Sequence, residues 1–241
     1  VLRSNQPPMP LRMNEIKPGT FFETDDFTIT AFSVTHRGPD CLGYIFEGKA
    51  RRPFLPEKAD ELGIPFEHVA LEMKDLKGPE FLKINPNGKV PAMVDGDFKL
   101  FESMAINLYL AAKYNKNGFW PAALEDQARC QQWSFWGMTE VEKPLLTILM
   151  DMFMTAPDKR KPDAVAEAQK ALPRPLAVLN DALQGRDYLL GSTFTVADLN
   201  LASVMSWAKP IKFDFGPYPN AGAWLDRCLA RPAYKAARAT K

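Results

Sequence analysis

"NPNGKVPAMVDGDFKLFES", residues 85–103, decides how the chain is read. Two short apolar runs flank Asp95-Gly96-Asp97, and Asp-Gly chemistry turns a chain back on itself. Residues 91–102 are therefore predicted to form a β-hairpin. The next stretch, "SMAINLYLAAKY" (103–114), has helical composition and spacing. Ser103 stands where an N-cap belongs, because its hydroxyl can accept a hydrogen bond from a free amide of the first turn.

Upstream of this stretch the reading is mixed α and β. Residues 1–26 are rich in proline and polar residues and read as an extended arm. "FTITAFSV" (27–34) and "LGYIFE" (42–47) carry the β-branched and aromatic residues of strands. "PEKADELG" reads as a short helix, with Pro56 in its first turn and Gly63 at its C-terminal cap. "FEHVALEM" (66–73) reads as a strand, and "GPEFLKIN" (78–85) as one or two helical turns.

Downstream the pattern is helical throughout. A long helix over 124–143 should kink or end at Pro144. A second, over 162–185, is interrupted by Pro173 and Pro175 and closed by Gly185. A third, over 195–209, opens on Thr195-x-x-Asp198, a capping-box start. A fourth, over 220–231, stops at Pro232. The domain reading is an arm at 1–26, an α/β domain at 27–115 and an all-helical domain at 121–241.

Composition excludes several classes. The 241 residues carry 30 basic and 29 acidic side chains, a net charge of +1. Both sides of Pro65 are balanced, so there is no polycationic footprint for nucleic acid. No apolar run is long enough to span a membrane, and the N-terminal stretch has no apolar h-region of a signal peptide. Cys41, Cys130 and Cys228 are scattered without CxxC spacing. That fits a reducing, cytoplasmic compartment and argues against a disulfide framework.

From Glu61 to Ala237 the chain resembles the glutathione S-transferase family. The residues that carry the likeness are "ELGIPFEHVALEMKDLKGPEFLKINPNGKVPAMVDGDFKLFESMAINLYLAAKY", then "YLLGSTFTVADLNLASVMSWA" and "YPNAGAWLDRCLARPAY". The resemblance implies a thioredoxin-like domain followed by a helical domain, a homodimer, and glutathione as co-substrate for conjugation to a small electrophile. No metal is implied.

The glutathione head carries an ammonium and a carboxylate. Glu102 can pair with the ammonium. Ser103 and the free amides at the start of its helix can hold the carboxylate. Lys89 can meet the glycyl carboxylate. The resemblance implies a cis Val90–Pro91 bond, which would turn the Val90 main chain toward the cysteinyl backbone of the ligand. Singly, each residue has a plainer reading: Ser103 as a cap, Glu102 and Lys89 as solvated charges. Thr195 and Asp198 read as structural. The aromatic group Trp133, Phe135 and Trp136 reads first as packing, with part of it available to wall an apolar pocket.

Residues 17–65 resemble something else, an internal segment of the ribonuclease Z family, through "H…GY.FE" and "F…KA.ELGIP". "ELGIP" fits both families and marks a seam, so the chain reads as a chimera. A two-zinc hydrolase needs several His and Asp ligands. The HxHxDH motif is absent, and His36 and His68 are the only histidines.

The seam falls where a transferase normally carries its catalytic Ser, Tyr or Cys. A free thiol has a pKa of about 8.5, and lowering it by about two units takes roughly 2.7 kcal/mol. Ser33, Thr35 and Cys41 are the nearby candidates. None sits in the family's motif, so the catalytic residue stays unassigned. The alternatives to catalysis are a glutathione-binding scaffold without chemistry, and RNA processing inherited from the upstream segment.

Overall fold

In this computed structural model the described residues are 19–23, 27–33, 42–48, 69 and 71–239; the first three segments are described by their backbone alone. Two compact units are present, Val1–Phe54 with Arg238–Lys241, and Leu55–Ala237.

In the first unit, strands β1 (Gly19–Glu23), β2 (Phe27–Ser33) and β3 (Leu42–Gly48) form an antiparallel sheet in the order β1-β2-β3. The register pairs Ile29 with Phe46 and Ala31 with Tyr44 on one side, and Ile29 with Phe22 on the other. A bulge lies between Thr20 and Phe22. Part of the expected arm, 19–23, is thus a strand. Both edges of β2 are occupied, one by β1 and the other by β3.

The expected strand over 66–73 is also corrected at its described residues. Val69 and Leu71–Met73 are not in a strand. The main chain of Glu72 is committed to a turn instead: its amide donates to the Asp75 carboxylate at 2.9 Å, and its carbonyl accepts from the Asp75 amide at 2.9 Å. The expected helix at 56–63 lies outside the described residues.

The second unit continues with a 3-10 turn (Asp75–Lys77) and the short helix α1 (Pro79–Leu82). The predicted hairpin comes next, as β4 (Ala92–Asp95) and β5 (Phe98–Phe101). Asp95 pairs with Phe98, so within the expected Asp95-Gly96-Asp97 turn the two-residue loop is Gly96-Asp97. Gly96 has φ 60°, and Asp97 is not among the positive-φ residues. Glycine first, with only its φ positive, is the type II′ pattern that suits the strand twist.

Helix α2 (Ser103–Lys113) buries Met104 and Ala111, seven residues apart on one face. A long helical run follows as α3 (Leu124–Trp136), a π-helical segment (Gly137–Glu142) and α4 (Lys143–Phe153). Pro144 therefore does not end the helix. It has no amide to donate to the preceding turn and its ring crowds the carbonyl four residues back; a wider π turn just before it accommodates both. Gly137 begins that turn, and a Cβ there would lie 3.1 Å from Leu201 Cδ1. The bare backbone lets α3 approach its neighbours closely.

Helices α5 (Pro162–Ala171) and α6 (Pro173–Ala182) are the expected interrupted pair, with buried Leu172 at the joint. Then come α7 (Val196–Met205), α8 (Pro219–Leu229) and α9 (Pro232–Ala239). Pro232 stops α8 and starts α9, where the missing amide is harmless. The main core lies among these helices, around Trp224, Leu145, Leu176, Leu179, Leu201 and Leu225.

One carboxylate organises that core. Asp198 is fully buried and accepts from the Leu189 amide at 2.9 Å, the Thr195 amide at 2.9 Å, the Thr195 hydroxyl at 3.0 Å and Trp224 Nε1 at 2.9 Å. The capping box read from the sequence is thus also a tie between the 188–195 loop, α7 and α8. Burial pushes the Asp198 carboxyl up, while the four donors pull it down. Removing the acceptor strands those donors. Asp198→Ala should therefore lower stability by about 3 kcal/mol or more, measured by urea unfolding; a loss under about 1 kcal/mol would mean the donors find other partners.

Candidate functional site

The hairpin register assembles the site. Ala92 pairs with Phe101 as the last pair of the ladder, so Pro91 enters β4 and Glu102 leaves β5 at the same end of the hairpin. Cross-strand Cα atoms stand about 5 Å apart. Lys89, Val90 and Pro91 thus lead into the end of the hairpin from which Glu102 and Ser103 lead out into α2.

On the upstream side, Val90–Pro91 is a cis peptide. Val90 is 55% exposed, and its amide and carbonyl have no main-chain partner among the described residues. The turn leading to it is held by Asn85, a buried side chain that the sequence reading passed over. Its Nδ2 donates to the Lys89 carbonyl at 2.6 Å, and its Oδ1 accepts from the Asn87 amide at 3.0 Å. Gly88 has φ 59°, and a Cβ there would lie 2.7 Å from the Leu76 carbonyl oxygen. The Lys89 side chain is exposed and makes no ion pair with a described residue.

On the downstream side, Ser103 is the first helical residue and not the cap. The cap position belongs to Glu102, at φ 74° and ψ 116°, and no side chain caps the helix. Positive φ in a residue with a Cβ costs roughly 1–3 kcal/mol, and such strain gathers at functional positions. The Ile106 amide is the first to find a carbonyl, that of Glu102, at 3.0 Å. The amides of Ser103, Met104 and Ala105 have no main-chain partner among the described residues, and neither has the Ser103 hydroxyl. Together they form an open donor set at the positive end of the helix.

Glu102 is exposed, and a second carboxylate stands near it. Glu142 closes the π segment; burial, and then the charge of Glu102, pushes its carboxyl up. Sequence spacing gave no sign of this neighbour, which is distant in the chain from Glu102. Elsewhere on the hairpin Asp95 binds back to α2, accepting from the Tyr109 hydroxyl at 2.7 Å and pairing with Lys113. Lys113 first, then Tyr109, holds the Asp95 carboxyl below the usual carboxylate range.

The remaining sequence candidates separate. Ser33 ends β2, opposite Leu42. Thr35, Cys41, His36 and His68 lie outside the described residues. Trp133 and Trp136 pack edge to face at 5.2 Å against the core, whereas Phe135 is 62% exposed. Among the described residues no three His, Cys, Asp or Glu side chains are grouped as a metal ion requires. No described helix is long and apolar enough to cross a membrane.

Known proteins share this organisation. The glutathione S-transferase N-terminal domain matches residues 57–112, and the glutathione S-transferase C-terminal domain matches residues 142–232. A glutathione S-transferase from Hyoscyamus muticus is 36% identical over 189 residues, 73% of this chain and 87% of the relative. The chain belongs to the glutathione S-transferase family. A glutathione S-transferase-like protein, OpS6, from Beauveria bassiana is 34% identical over 190 residues, covering 76% of this chain and 87% of its own. Among solved structures, glutathione S-transferase-I bound with lactoylglutathione superposes with a TM-score of 0.65 at 31% identity, over 75% of this chain and 90% of that one. Ure2p in complex with glutathione gives 0.65 at 25% identity, over 76% and 87%. The architecture of this transferase-like protein is thus a thioredoxin-like domain followed by a helical domain.

The construction of the site makes Gly88 and the buried thiols testable. Gly88→Ala forces a Cβ into a left-handed turn against a carbonyl and should cost about 1–3 kcal/mol, read by urea unfolding; an unchanged midpoint would show that the turn relaxes freely. Burial pushes the thiols of both Cys130 and Cys228 up and hides them. A thiol-specific aromatic disulfide should therefore label neither in the native protein and both after denaturation, and native labelling of either one would contradict the buried placement.

Proposed function

We propose that the corner formed by Lys89, Val90, Pro91, Glu102 and Ser103 binds glutathione, and that the protein conjugates it to a small electrophile. The observation that carries this reading is the start of α2: amides without a main-chain partner among the described residues, and a serine hydroxyl, beside Glu102, whose main chain has φ 74°. An amino acid head group needs that combination, donors for its carboxylate and an acceptor for its ammonium. The open main chain of Val90 suits the cysteinyl amide and carbonyl, and Lys89 the glycyl carboxylate. The bound ligands named for the similar solved structures, lactoylglutathione and glutathione, support the same assignment.

The catalytic group is unassigned, so binding without chemistry is the second reading. We further read the protein as a cytoplasmic homodimer, and residues 17–65 as a segment of ribonuclease Z ancestry joined to a transferase chain without that family's zinc site. Two measurements divide these readings. Glu102→Ala and Ser103→Ala should each weaken retention on a glutathione matrix by about tenfold or more, the worth of a charge-assisted hydrogen bond; undiminished retention in both places the ligand elsewhere. Turnover of a generic electrophile above the uncatalysed rate supports the enzyme, and retention without turnover supports the scaffold.

A further inference from the structure

Away from this corner, a hollow of about 280 Å³ opens between the end of α6 and the start of α8. Its wall carries two guanidiniums, Arg186 and Arg227, with Asp187 the one acid, and Gly185, Asn220 and Ala223 beside them. We propose that this hollow binds a small oxyanion, a phosphate or a phosphomonoester, between Arg186 and Arg227.

The site is built by a side-chain clamp. Asn180, in the last part of α6, accepts from the Asn220 amide at 2.9 Å through Oδ1, and its carbonyl accepts from Asn220 Nδ2 at 3.1 Å. These bonds hold the two helix ends at a fixed spacing. Gly185, at φ 69°, turns the chain out of α6 with nothing within 4 Å of where its Cβ would lie, so the mouth stays open.

Arg227 is positioned before any ligand arrives. Its Nη1 donates to the Asp187 carbonyl at 2.5 Å, and its guanidinium lies 5.9 Å from the centre of the Tyr188 ring. Its approach to the Asp187 carboxylate is looser, 3.5 Å between side chains that are 39% and 61% exposed. An exposed pair of that kind is worth little against water, so an oxyanion can displace it. Arg186 is freer still: its described contact is a 3.5 Å approach of Nη1 to the Leu189 carbonyl. The ionisable side chains on the wall sum to one net positive charge. The early amides of α8 are already occupied, those of Asn220 and Ala221 by Asn180 and that of Gly222 by the Tyr218 carbonyl. The start of the helix therefore adds no donors, and the arginines carry the site. Planar forked donors in the lining of one hollow match the oxygens of a phosphate better than a single carboxylate edge.

The test is calorimetric or phosphorus-NMR titration of the full chain with inorganic phosphate, with chloride adjusted to constant ionic strength. One saturable site per chain is expected. Arg186→Gln should raise Kd about tenfold or more, the loss of one charge-assisted contact. Asp187→Asn should lower Kd by removing the competing acid, and Ala223→Glu, which places an acid in the hollow, should abolish binding. Circular dichroism checks that each variant is folded. No saturable binding, or a Kd that Arg186→Gln and Ala223→Glu both leave within about twofold of the parent, a change too small for a lost charge-assisted contact, overturns the proposal. Glutathione retention is read on the same samples and stands or falls separately.

Discussion

The open start of α2 is useful only because the helix is pinned one turn further on. Asn107, four residues beyond Ser103 on the same side of the helix, donates through Nδ2 to Asn200 Oδ1 at 2.8 Å. Asn200 is buried in α7 and donates in turn to Ser134 Oγ at 2.8 Å, and Ser134 donates to the Cys130 carbonyl at 2.8 Å. Every donor in this relay faces an acceptor, which is the condition for a buried polar chain to stabilise and not to penalise. It joins α2, α7 and α3 in a fixed order. Met104 packs beside it, its methyl group 3.7 Å from where a Cβ on Gly137 would lie. The helical layer thereby sets the direction in which the unpaired amides point.

The same economy appears at Asp198, whose carboxylate joins a loop, a helix start and a core tryptophan. Both clusters place polar groups inside the apolar interior and satisfy them completely. Among the described residues no buried side-chain nitrogen or oxygen lacks a hydrogen-bond partner. The contrast with the α2 start is informative. There, the amides without a main-chain partner among the described residues follow an exposed residue held at positive φ.

Local chemistry made much of this legible in the sequence. Glycine beside aspartate announced the hairpin, and Thr195-x-x-Asp198 announced a helix start; each signal depends on neighbours within a few residues. The features that the sequence hid depend on distant partners or on departures from ideal geometry. Asn85 looks like an ordinary loop residue until its three bonds are seen. Glu142 escaped because it belongs to another helix, far along the chain from Glu102. Ser103 was assigned the cap that Glu102 occupies in a strained conformation. The 66–73 segment has strand composition, but at Glu72 a nearby aspartate captures the main chain. The pairing of β2 with β1 arose from no local feature, since strand composition does not name a partner.

Glutathione binding at this corner depends on a few amides, and amide NMR reads them directly. Reduced glutathione, added to labelled protein, should move the amide signals of Val90, Ser103, Met104 and Ala105 in a saturable way, while those of α8, distant in sequence from the corner, stay in place. If glutathione binds and these four signals do not move, or if no amide responds at millimolar ligand, the start of α2 is not where the tripeptide is held.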